Sequence, residues 1–159
     1  MSGTTHRRTK FLVVVDDTPE CRVALRFAAL RARNVGGGVT LLRVYEPPDF
    51  QHWMGVGELM RQEAQEEAES LLRALSAQVH EETGIMPEIV IEEGSVREVI
   101  QPLIEQDRDI RILVLGASPD KAGPGPLVNF LVGELSGHFS IPITVVPGTL
   151  TRAQIEELT

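Results

Sequence analysis

The chain has 159 residues, enough to bury one sizeable core, and its 42% hydrophobic and 24% charged residues exclude disorder and fibrous repeats. The formal net charge of −8 argues against a nucleic-acid surface, because phosphate binding needs clustered Lys and Arg, and the one basic cluster, His6 to Lys10, reads as a solvated N-terminal tail. No apolar run is long enough to span a membrane and none opens the chain as a signal peptide would, so a cytoplasmic protein with no membrane partner is expected.

Residues 11–15, Phe-Leu-Val-Val-Val, form a continuous apolar and largely β-branched run, the pattern of a parallel strand buried on both faces. Thr18 then stands where it can cap a helix, and Pro19 suits the first turn because its missing N–H would have no partner there. That helix should run to about Arg33. Cys21 belongs on its buried or half-buried side, and as the only cysteine it permits no internal disulfide. Gly36, Gly37 and Gly38 close the unit, residues 39–44 supply a second strand, and the three elements make a βαβ crossover. A Pro-rich loop from Glu46 to Gly57 carries Phe50, His52, Trp53 and Met54. So much apolar surface must pack on the body of the subunit, on the crevice above the sheet, or on a partner subunit.

Residues 56–82 are helical in pattern, with Leu59, Ala64, Ala68, Leu71, Leu72, Leu75 and Val79 on one apolar face and a Glu-rich solvated remainder. Gly84 is placed to end this helix, residues 87–92 form a third strand, and Ser95 with Glu98 makes a capping box that opens a third helix. Residues 110–115 read as a fourth strand, 127–139 as a fourth helix, and 143–146 as a fifth strand between Pro142 and Pro147. Thr151 and Gln154 form another capping box, with Leu150 and Ile155 at the positions of a hydrophobic staple, so a short helix should end near Leu158. The expected organisation is a flexible tail over 1–9, one domain over 10–148 and a C-terminal helix over 149–159.

Regular strand–helix alternation with short connections predicts a doubly wound, three-layer α/β fold around a parallel sheet. Such sheets hold ligands at the carboxyl ends of their strands, which directs attention to the loops after the first and fourth strands. Asp16 and Asp17 arrive there from one side, and Gly116, whose missing side chain lets backbone approach a ligand, from the other. Capping and the helix dipole account for Asp16, Asp17 and Thr18 equally well.

Catalysis and metal binding are not expected. His6, His52, His80 and His138 lack partners at helical metal-site spacing, no serine sits in a Gly-x-Ser-x-Gly turn, and Cys21 lies within a helix. A flavodoxin-like carrier would need a phosphate loop after the first strand, where Asp16, Asp17 and Glu20 would repel the phosphate.

Several stretches together resemble the universal stress protein family over about residues 11–147: Val-Val-Val-Asp-Asp-Thr at 13–18, Val-Thr-Leu-Leu-Arg-Val at 39–44, Glu-Glu-Gly at 92–94, Ile-Leu-Val-Leu-Gly at 112–116 and Ile-Pro-Ile-Thr-Val-Val at 141–146. The resemblance implies an adenine nucleotide alpha hydrolase-like fold with strand order 3-2-1-4-5. It also implies an adenine site at Val14, Asp16, Val44, Leu115 and Gly116, and a homodimer through Ile143, Thr144, Val145 and Val146 of the last strand. The family's nucleotide-binding members carry glycine, two residues, glycine, nine residues, then glycine with serine or threonine. Anchored at Gly116, those later positions fall on Pro119, Asn129 and Phe130, so only the first glycine is kept. The reading is therefore a non-catalytic regulatory or binding module of stress response, with no cofactor expected. An ATP- or AMP-binding sensor or slow ATPase is its alternative, for which Lys121, Gly123, Gly125 and Asn129 would have to improvise the phosphate contacts.

Overall fold

The structure is a computed structural model that describes residues 8–47, 54–135 and 137–159. Its strands are β1 (Lys10–Val14), β2 (Gly38–Tyr45), β3 (Glu88–Glu93), β4 (Ile110–Ala117) and β5 (Ile143–Pro147). They form one sheet in the order β3-β2-β1-β4-β5 with every neighbouring pair parallel. This is the expected order and differs from the flavodoxin arrangement, in which the third strand sits inside the sheet.

The helices are α1 (Pro19–Val35), α2 (Met54–Thr83), α3 (Val96–Gln106), the single turn α4 (Pro126–Val128) and α5 (Arg152–Leu158). Alternation along β1 sends Phe11, Val13 and Val15 into one core with α1 and α2, and Leu12 and Val14 into a second core with α3 and α4. All five side chains are buried, so the uninterrupted apolar run of the sequence follows from a strand with protein on both faces. Each such side chain contributes about 2 kcal/mol of apolar burial.

Local signals set the helix ends. Thr18 caps α1 by accepting a hydrogen bond from the Cys21 N–H, and Gly36 ends it in the left-handed conformation at φ 69°. Gly84 ends α2 in the same way, at φ 79°, donating its N–H to the His80 carbonyl at 2.8 Å. At Ser95 only the side-chain half of the expected capping box forms, with Oγ accepting from the Glu98 N–H at 3.3 Å. Both halves form at Thr151 and Gln154. Ile155 is buried, Leu150 packs against the core on the α1 side of the sheet, and Asn34 Nδ2 donates to the Thr159 oxygen at 2.9 Å. The segment 149–159 thus shares the main core.

Two expectations need correction. Leu59 is 56% exposed and does not join the buried face of α2, which begins at Ala68 and continues through Leu72, Leu75 and Val79. The fourth helix does not run over 127–139: after α4 the backbone widens over Asn129–Glu134, with the Leu135 N–H reaching the Phe130 carbonyl five residues back. Gly133 weakens helix propensity there, and the wide turns keep Leu131 buried with Phe130, Leu135 and Phe139 packed on the same core. Phe50, His52 and Trp53 lie outside the described residues, as does most of the tail over 1–9.

Candidate functional site

The strand order reverses between β1 and β4, so their carboxyl ends flank a crevice roofed by the segment before α4. Val14, Asp16, Leu115 and Gly116 line it together with Thr18, Cys21 and Val128. The Asp16 carboxylate is occupied with its own turn. Its Oδ1 accepts the Thr18 N–H at 3.0 Å and also the Thr18 hydroxyl, the same hydroxyl oxygen that caps α1. Asp17 points elsewhere, pairing with Arg43 at 3.6 Å, while Arg43 Nη1 donates to the Val15 carbonyl at 3.1 Å. Arg43, near the end of β2, therefore braces the β1 loop. The signal for it was a lone cation inside the apolar run 39–44.

Gly116, which lines the crevice, also has a packing contact. A Cβ there would overlap the Glu20 carbonyl and come within 3.1 Å of the Cys21 nitrogen, so the bare Cα admits the first turn of α1. Gly148 does the same from the β5 side, where a Cβ would stand 2.8 Å from both the Ala117 oxygen and Glu20 Cβ.

The loop over 118–126 turns its hydrogen-bonding capacity inward. Ser118 donates to the Pro124 carbonyl at 3.0 Å, Asp120 to Ser118 Oγ at 3.2 Å and Gly123 to the Asp120 carbonyl at 3.1 Å. Pro119, Pro124 and Pro126 have no N–H. Among loop N–H groups this leaves Lys121, Ala122 and Gly125 without a backbone acceptor. With Pro124, Gly125 and Pro126 over it, the crevice encloses ≈ 70 Å³, whereas small-molecule sites commonly enclose about 300–1,000 Å³.

The remaining predicted residues stand apart. Val44 is half-buried in the core beneath α3 and α4. Asn129 is exposed, and its backbone is right-handed helical at φ −58° and ψ −44°. Phe130 is half-buried under Arg97, whose guanidinium lies 3.9 Å from the ring centroid and pairs with Glu134 at 3.1 Å. That cation–π contact was not legible, because Arg97 and Phe130 lie on different elements. Among the described residues no three His, Cys, Asp or Glu side chains gather as a metal site, and no helix is long and apolar enough to cross a membrane.

A family model described as the Universal stress protein family matches residues 7–147. The chain belongs to that family. Among solved structures it is similar to the universal stress protein UspA of Lactobacillus plantarum, with TM-score 0.75, 20% identity, and coverage of 88% of this chain and 98% of that one. It is also similar to a universal stress protein family protein of Arabidopsis thaliana with AMP bound, at TM-score 0.59 and 18% identity over 87% of this chain and 91% of that one. A universal stress protein in complex with cAMP aligns at TM-score 0.62 and 11% identity, over 90% and 99% of the two chains. At such identities these structures show the shared fold alone. No curated protein sequence matches.

In this universal stress protein Cys21 sits beneath the crevice, 4% exposed, with Sγ 3.7 Å from the Val14 carbonyl. Burial pushes its thiol up to about 11, opposed by the hydrogen bond with the Asp16 backbone and reinforced by the Asp16 charge. The folded state therefore holds this proton more tightly than the unfolded chain. Stability linked to Cys21 is whole below the ordinary thiol value near 9.0 and declines as pH approaches about 11. The decline should reach on the order of 2 kcal/mol. Urea unfolding at a series of pH values should show it, and Cys21→Ala should flatten the curve in that window; equal slopes would contradict the assignment.

Gly116→Ala should cost about 2–4 kcal/mol in urea unfolding, because the new methyl meets backbone that cannot move aside. Gly133→Ala, with nothing within 4 Å of the added Cβ, should be neutral or slightly stabilising in the same assay.

Proposed function

We propose that this chain is a cytoplasmic, non-catalytic binding module of stress response whose switch-point crevice does not accept a nucleoside triphosphate. The observation that carries this reading is the Pro124-Gly125-Pro126 segment folded over a crevice of ≈ 70 Å³, beside a loop whose amides bond one another. Hydrolysis would further need a positioned water and charge stabilisation near the phosphates, and Lys121 is the one cation in the loop.

An adenine-nucleotide sensor is the second reading, favoured because Val14, Asp16, Leu115 and Gly116 converge on one crevice and because two structural neighbours hold AMP or cAMP. Calorimetric titration of purified protein with ATP plus magnesium, and with AMP, separates the two. The first reading expects no saturable heat and no adenine nucleotide released on denaturation; micromolar binding of either nucleotide would establish the second.

We also infer a homodimer through β5. This strand forms an edge of the sheet, and Val145 is 37% exposed upon it, a combination that invites pairing with an identical strand. Light scattering at micromolar concentration should give twice the chain mass, falling to one chain mass for Val145→Lys. A monomeric wild type would refute the dimer.

A further inference from the structure

We propose that the amino-terminal end of the sheet carries a second binding site, for a small organic anion made of a carboxylate or phosphate monoester on an aliphatic body. α1 and α2 terminate side by side there, next to the beginnings of β1, β2 and β3. The cavity between them measures ≈ 460 Å³, against ≈ 70 Å³ for the crevice at the other end. That volume falls in the range of about 300–1,000 Å³ typical of small-molecule sites.

Both helices stop at glycines that line the cavity. A Cβ at Gly36 or Gly84 would have nothing within 4 Å, so each borders open space. Accessible apolar lining comes from Ile85, which is half-buried, and Met86, which is 67% exposed. These are surfaces an aliphatic body would cover.

Charge sets the sign of the ligand. Glu88 is the acidic residue in the lining, and Lys10 engages it at 2.8 Å while also bonding Asp107 at 2.8 Å. Arg8 and Arg33 then stand on the lining with no carboxylate at ion-pair distance among the described residues. Arg8 Nε donates to the Gly36 carbonyl at 3.3 Å, which holds its guanidinium at the rim. The guanidiniums of Arg8 and Arg33 together with Lys10, set against Glu88 and Asp107, leave this end of the sheet one positive charge in excess, in a chain of net charge −8. Their planar donor forks match carboxylate and phosphate oxygens. This site does not depend on the state of the switch-point crevice, which lies across the sheet.

The test is titration of the ¹⁵N-labelled full chain with sodium octanoate and, separately, octyl phosphate. Saturable shifts of the Gly36, Gly37, Gly38 and Gly84 amides are expected with at least one of them, with half-saturation on the order of 1 mM or below. Gly38→Val adds a side chain whose Cβ would meet Lys10 Cγ at an ordinary 3.7 Å, so the fold should stand while the cavity fills. Binding should weaken about tenfold or more in that variant, and similarly when Arg8→Gln and Arg33→Gln are combined. Octan-1-ol and inorganic phosphate, each lacking half of the ligand, should bind at least about tenfold more weakly than the amphiphilic anion. No saturable shift at these glycines would overturn the proposal. So would affinity unchanged in both variants, or octan-1-ol or inorganic phosphate binding as tightly as the amphiphilic anions.

Discussion

Helix α1 lies on the sheet through three alanines one turn apart, Ala24, Ala28 and Ala32, each with no exposed surface. Small side chains at that spacing let the helix axis come close to the strands. The approach is tightest at the first turn, where the Glu20 carbonyl stands over the bare Cα of Gly116 and Glu20 Cβ faces Gly148. The Asp16 and Thr18 hydrogen bonds fix where that turn begins, and Arg43 ties the same loop to the neighbouring strand. The depth of the crevice between β1 and β4 follows from this packing.

In the doubly wound architecture ligands enter where the strand order reverses. Here three features converge to narrow that entrance: α1 occupies the space Gly116 leaves, the prolines after β4 carry no donors, and the remaining loop amides largely bond within the loop. The opposite end of the sheet is shaped by the reverse condition. There α1 and α2 end at Gly36 and Gly84, where an added Cβ would have nothing within 4 Å.

The strands were legible because β1 and the middle of β4 have protein on both faces, so Leu12, Val13, Val14, Leu113 and Val114 form apolar runs that no surface segment would tolerate. Thr18, Ser95 and Thr151 announced helix starts because a cap is a contact within four residues. The extent of the fourth helix was not legible. Its apolar residues also satisfy a helical pattern, but the wide turns over Asn129–Glu134 answer to the core they cover and to Gly133. Leu59 misled for a related reason, since the helical periodicity extends N-terminal to Ala68, where the buried face of α2 begins.

By itself the sequence determined the layer order, the caps, the placing of Cys21 on the buried or half-buried side of its helix and the family resemblance, all of which depend on residue type at short spacing. Tertiary structure alone decided what Gly116 is for, where Phe130 packs and how much space each end of the sheet encloses. Those outcomes depend on distances between segments far apart in the chain, such as Glu20 against Gly116 or Arg8 against Gly36, which no local pattern records.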